Sequence, residues 1–442
     1  MRKISILILY ILICTHCTAQ NWLPLKSGVN VQVRTLYSDT VDSVLYVGGN
    51  FITADGDTVN GLAKWDGTAW TALGSGPGWP VLAITRYNGE LYAGGAILNG
   101  ISKWDGNSWK SVGTGINGAV VGLNVYNGKL YVVGTFDTAG GILSNMVAIW
   151  DGSSWSNIGT GLENFVAATI FYKGELYAGG NFEIGGIREI AKWNGVNWEK
   201  VGNGFFGNSA VNTFEVYNNE LYVGGYFIKA NGNPGNYIAK WDGNTWSEVG
   251  GGMSGGNGQI YDFVIHNNEL YAVGVFTGAG GVVADHIAKW DGNEWCGLGS
   301  ILNNNIGTVE VYNNEIFIGG GFTLIDGDTL NYIAKWDGGS YVDNCGTISS
   351  LVEEPNIYLE DEVKIYPNPI SFSSILYLSD RLLKEKKLTF TLYNLLGQEV
   401  KRMENINTSQ TKFHRPGLES GIYIYKVMSD DSIITFGKVV FQ

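Results

Sequence analysis

The stretch IAKWDGNTWSEVG, Ile238 to Gly250, places an aspartate between two tryptophans, and near copies of it run through most of the chain. Its Trp-Asp/Asn-Gly core recurs seven times, with the tryptophan at 65, 104, 150, 193, 241, 290 and 336. Successive copies stand 39 to 49 residues apart, the length of a unit of four short strands. Two further patterns keep step with it. An apolar run ending in glycine precedes each copy, from LYVGG at Leu45 to IFIGG at Ile316. A second Trp-led segment ends each unit, beginning at Trp22, Trp70, Trp109, Trp155, Trp198, Trp246 and Trp295.

In the fifth unit, Val211–Tyr217, Glu220–Gly225, Tyr237–Trp241 and Thr245–Gly250 read as four antiparallel strands. Asn-Asn, Asn-Gly or Lys-Gly joins the first two, and Asp-Gly the last two. Both pairs read as two-residue hairpin turns, because these residues tolerate positive φ. The strands are apolar on both faces, as expected of sheets stacked face to face. The first element, WLPLKSG (Trp22 to Gly28), is a fourth strand without its first three, and the seventh unit ends in a degenerate GSYVDNCG (Gly339 to Gly346). The N-terminal strand, 22–28, is therefore expected to complete the last sheet and close a ring, which removes exposed sheet edges, with 339–345 as the alternative outer strand. The expected fold class is all-β: a seven-bladed β-propeller of four-stranded antiparallel blades over 20–350, followed by a small immunoglobulin-like β-sandwich. LYVGGYF…IAKWDGNTWSEV resembles the kelch repeat and the galactose-oxidase-like central domain, with Trp241 where kelch usually has tyrosine. That resemblance implies a fold and leaves the activity open.

The ends read differently. Arg2 and Lys3, the apolar run Ile4–Ile13 and the small residues Cys17–Ala19 form an export signal over 1–19, too short to span a membrane in the mature protein. Cleavage leaves two cysteines, Cys296 and Cys345, expected to pair in an oxidising compartment, with two free thiols as the alternative. Residues 20–350 carry 29 acids against 15 bases, which disfavours nucleic acid or anionic membrane as partner. An acidic linker, 351–362, leads to a basic segment, 363–442, with 11 bases against 7 acids. KIYPNP (364–369), LTFTLYNLLGQEV (388–400), PGLESGIYIYKV (416–427) and ITFGKVVFQ (434–442) closely resemble the type A C-terminal sorting domain of the Bacteroidetes type IX secretion system. The resemblance implies the secretion machinery as partner and a secreted or cell-surface product.

Catalytic signals are sparse. His266 stands where Tyr87, Tyr126, Tyr217 and Tyr312 stand in other units, and His286 replaces Tyr237 and Tyr332, so neither suggests a ligand set and no metal or cofactor is expected. Asp66, Asp105, Asp151, Asp242, Asp291 and Asp337 repeat with Asn194, which suits a turn and not a catalytic carboxylate. The two DGD runs, Asp55–Asp57 and Asp326–Asp328, read as polar turns and not as calcium loops. In such a meander the loops between strands two and three share one face with the connections between sheets, and there the copies diverge. Candidate ligand contacts on that face are Trp79, Arg188, Phe205, Phe206 and Lys229; the alternative is that each packs under its own loop. The expected function is a non-enzymatic exported module that binds an extracellular glycan or protein, or serves as a scaffold. A polysaccharide-active enzyme and a structural surface-layer component are the alternatives.

Overall fold

The computed structural model describes residues 22–336, except Asn208, Ala230, Asn231, Asn257 and Gly299. In the C-terminal part it describes 363–366, 370, 373–379, 383, 388–394, 399–414, 421–429 and 432–441. The leader 1–19, the linker 351–362, Asp337 and Cys345 lie outside the described residues. Two compact units divide after Gly346.

Among the described residues the first unit contains seven four-stranded antiparallel sheets and no α-helix. With the sheets numbered in chain order by their first strands, from Val33–Asp39 in sheet 1 to Ile306–Tyr312 in sheet 7, sheet 5 shows the plan: Ala210–Tyr217, Glu220–Tyr226, Ile238–Trp241 and Trp246–Ser247 are bonded in that order. Sheet 7 takes three strands, Ile306–Tyr312, Glu315–Gly320 and Ile333–Trp336, from one end of the repeat array and its outer strand, Trp22–Pro24, from the other. Trp22 pairs with Trp336, and Pro24 with Ala334. The first strands of consecutive sheets touch around a complete circuit, sheet 7 returning to sheet 1.

The first hairpins form as expected. Tyr87 pairs with Glu90, and the turn residues Asn88 and Gly89 have φ of +49° and +80°. The Trp-Asp-Gly turn differs from expectation. Trp241 pairs with Trp246, so the loop holds four residues, and among Asp242–Thr245 only Gly243 has positive φ, at +104°. Asp242 stays in an ordinary conformation because its Oδ1 accepts the backbone N–H groups of Asn244 and Thr245, both at 2.7 Å. The side chain thus stands in for a backbone carbonyl of the turn. Asn194 accepts from Val196 and Asn197 in the same way. The DGD runs do make two-residue turns: Asp55 and Gly56, at φ +49° and +89°, sit between the paired Ala54 and Asp57.

The two tryptophans of each unit pack as a pair, with ring centroids 4.9–5.5 Å apart in all seven sheets. In six of the seven sheets the outer indole then donates to the preceding sheet, while Trp198 Nε1 is buried without a hydrogen-bond partner. Trp70 Nε1 donates to the Leu25 carbonyl at 2.9 Å, Trp109 to Leu73 at 3.1 Å and Trp295 to Val249 at 3.0 Å. Trp22 donates to Ser300 Oγ at 3.1 Å, so the borrowed strand makes the link its position requires. A second latch joins the hairpin ends. Tyr87 Oη donates to the Gly128 carbonyl, Tyr172 to Asn219 and Tyr217 to Asn268, while Tyr312 donates across the closure to Ser43 at 2.9 Å.

The second unit has a three-stranded sheet (Val363–Tyr366, Ser373–Leu378, Gln410–His414) and a four-stranded one (Glu399–Ile406, Leu388–Tyr393, Gly421–Ser429, Ser432–Phe441). Leu376 and Phe413 from the first share one apolar cluster with Phe390, Val427 and Phe441 from the second.

Trp22 is buried in the closing strand, so Trp22→Ala should cost about 3–5 kcal/mol and broaden the thermal transition as the ring opens. Asp242→Asn should leave the melting temperature unchanged, while Asp242→Ala should lower it slightly. Calorimetry of the three variants checks all of these outcomes.

Candidate functional site

Two regions of the ring collect unlike residues from its seven sheets: the central channel and the face of the variable loops. The channel has a volume of about 260 Å³ and is lined by the first strand of every sheet. Each of those strands carries a β-bulge at the same place, for example between Val33 and Thr35 and between Ile260 and Asp262. The extra residue, Arg34 in sheet 1, Asn212 in sheet 5 and Tyr261 in sheet 6, turns into the channel.

A first strand has an unpaired inner edge, and side chains of the neighbouring sheet satisfy it. Asn124 Nδ2 donates to the Thr169 carbonyl and Asn212 Nδ2 to the Ile260 carbonyl. Tyr37 Oη accepts from Arg86 N–H. Asp262 Oδ2 accepts from Val309 N–H at 3.1 Å and Thr308 Oγ1 at 2.9 Å, and Glu310 Oε2 accepts from Ser38 N–H. Glu215 Oε1 accepts from Val216 N–H on its own strand. Three carboxylates, from sheets 5, 6 and 7, therefore gather at one side of the channel. Burial pushes Asp262 up to about 6 and Glu215 and Glu310 up to about 7, with repulsion from Asp262 adding to the shifts of Glu215 and Glu310 and repulsion from Glu215 adding to that of Glu310. The other ionisable groups facing them are Tyr37, beside Glu310, and Arg34, beside Tyr261. Among the described residues no group of histidine, cysteine, aspartate or glutamate has the arrangement of a metal site.

These acids escaped the sequence reading. Their trace is an acidic residue inside an otherwise apolar first strand, as in VNTFEVY and GTVEVY. The turn aspartates Asp66, Asp105, Asp151 and Asp242 are instead exposed hinge groups, held below the usual carboxylate range by the backbone N–H bonds they accept.

The second region is the loop face. Four of the loops between strands two and three carry small hairpins of their own, such as Thr53–Ala54 with Asp57–Thr58 and Thr138–Ala139 with Ile142–Leu143. Trp79, followed by a cis proline, is 54% exposed and Phe206 is 41% exposed. Phe205 is a correction: it is fully buried, with its ring against Phe227 and Trp246, and cannot meet a ligand. The loop turns one phenylalanine inward and leaves its neighbour outside. Arg188 pairs with Glu183 at 2.6 Å across its own hairpin, and Lys229 pairs with Glu248 at 2.8 Å. Next to Arg188, Glu189 is buried at φ +55° with Oε2 unbonded, and burial pushes its carboxyl up to about 7. Cys296 is buried in the outer strand of sheet 6.

The first unit is thus an all-β ring of four-stranded antiparallel sheets, built as propeller blades are. Residues 364–442 match the secretion system C-terminal sorting domain. That match identifies the chain as cargo of the type IX system, exported to a secreted or cell-surface location, and the secretion machinery as a partner. No curated protein matches the chain. No described helix is long and apolar enough to cross a membrane.

Raised carboxyl pKa values mean that the folded ring binds protons more tightly than the unfolded chain, so stability falls as pH rises through about 6–7. The turn aspartates act oppositely, and their contribution is lost only as pH falls below the usual carboxylate range. The melting temperature should therefore be higher near about pH 5.5 than about pH 8. Glu310→Gln with Glu215→Gln should flatten that difference, measured by thermal unfolding across the range.

Proposed function

We propose that residues 20–350 form a seven-bladed, kelch-like β-propeller that acts outside the cell as a non-enzymatic binding module, with the loop face as its contact surface. The observation that carries this is a contrast between the two faces. Leu98, Leu143, Val283, Ile301 and Trp79 stand more than half exposed on the loop face, whereas Val41 and Val196 are the comparable residues in the short turns of the other. Trp22 and Trp336, the first and last described residues of the ring, pair at the short-turn end. The same proposal includes a leader over 1–19, a Cys296–Cys345 bridge and an immunoglobulin-like topology for the sorting unit.

A second reading, a polysaccharide-active enzyme, draws on Glu215, Asp262 and Glu310 in the channel. Against it, each of these already accepts a backbone N–H, and a space of about 260 Å³ suits at most a small ligand. The purified full chain, probed on glycan and extracellular-protein arrays, should be retained on some surface, and Trp79→Ala with Phe206→Ala should weaken retention. Release of soluble products from a polysaccharide, abolished by Asp262→Asn, would establish the enzyme instead.

A further inference from the structure

We infer that the partner of the loop face is a protein surface with an apolar patch rimmed by lysine and arginine, and not a glycan; this rests on the binding-module reading above. The side chains offered are the first reason. Sugars are held chiefly by flat aromatic rings, and exposed aromatics on this face are few: Trp79, Phe206 and Tyr226. The most exposed apolar groups are aliphatic, with Leu98 80% exposed, Val283 73%, Ile301 72% and Leu143 62%. Each sits on a loop or hairpin of a different sheet or connection of the loop face, Leu143 and Val283 on hairpins that lie against the outer strands of sheets 3 and 6. Aliphatic groups gain by leaving water against other apolar surface and have no directional complement in a hydroxylated sugar.

Charge is the second reason. The loop-face bases Lys26, Arg188 and Lys229 are each consumed in an ion pair, with Asp55, Glu183 and Glu248. Asp57, Asp137, Glu163 and Asp328 are exposed on the same loops, and among the described residues none of them has a basic partner. Glu189 adds a buried carboxylate whose Oε2 is unbonded. Two bases there stand outside these ion pairs: Lys200, whose ammonium lies against Gly186 in the hairpin of sheet 4, and Arg34 in the channel wall, so the face keeps an acidic excess. An acidic, aliphatic face repels an anionic bilayer and repels a second copy of itself, while it complements a cationic, apolar protein surface.

The probe is a synthetic amphipathic helix with one leucine face and one lysine face, titrated into the full chain by calorimetry. We expect saturable binding that weakens with salt. The combined substitution Leu98→Asn, Leu143→Asn, Val283→Asn and Ile301→Asn should weaken it by about tenfold or more. Val41→Asn with Val196→Asn, on the opposite face, should leave it unchanged. Equal loss in both variants, or no binding of the peptide, overturns the inference. Retention on a glycan array that depends on Trp79 and not on the aliphatic set would also overturn it while leaving the binding-module reading intact. Absence of binding to peptide, proteins and glycans alike would remove both.

Discussion

Three residues of strand pairing, Trp22–Pro24 against Ala334–Trp336, hold the first unit closed. Without it the third strand of sheet 7 would present a free edge, and sheets 1 and 7 would each have a face open to a neighbouring chain. The short closing strand replaces those open ends with one more interface of the kind found between all other sheets. It brings the same two latches: the Trp22 indole reaches the sixth sheet, and the Tyr312 hydroxyl reaches the first hairpin. Closure is therefore supported by tertiary contacts well beyond the few ladder bonds themselves.

Between sheets the same geometric problem is solved with different chemistry. Where most hairpin-end latches use a tyrosine hydroxyl, sheets 1 and 2 use a buried ion pair, Asp39 with Arg86 at 2.6 Å. Sheets 3 and 4 use Tyr126 stacked on Phe171 with centroids 3.5 Å apart. The inner edges show the same substitution of means, with asparagine donating to carbonyls on one side of the ring and carboxylates accepting N–H groups on the other. An acidic cluster that could be read as catalytic thus has a prior structural task. Its cost appears as raised pKa values, the mark of carboxylates held in a narrow channel with little water around them.

Repetition also separates scaffold from contact surface. The parts that repeat, namely the tryptophan pairs, the side-chain-capped turns and the bulged first strands, are those every sheet needs to meet its neighbours. The loops between strands two and three share a bridge to the incoming connection, as in Val29–Ala54, Ile116–Ala139 and Leu302–Ile325, and beyond that contact exposed aliphatic and acidic residues gather. The sorting unit stands apart in composition as well as in contacts, being basic where the ring is acidic.

Sequence by itself determined the all-β class, the strand order within each sheet and the sorting unit, because each rests on local periodicity or on a motif repeated in register. It left 22–28 and 339–345 as alternative outer strands of the last sheet, and only the tertiary structure pairs Trp22–Pro24 with Ala334–Trp336. It also determined that Asp242 serves a turn, since six relatives around the chain cannot share one substrate. Tertiary structure alone decided how that aspartate acts, accepting two N–H groups in a four-residue loop in place of adopting positive φ. It alone turned Phe205 inward and Phe206 outward, a choice that depends on the space beside Phe227 and Trp246. It alone assembled Glu215, Asp262 and Glu310, which lie almost fifty residues apart in sequence. Such residues meet only when consecutive sheets pack, and no local pattern in a chain records which unpaired backbone groups its distant segments will have to satisfy.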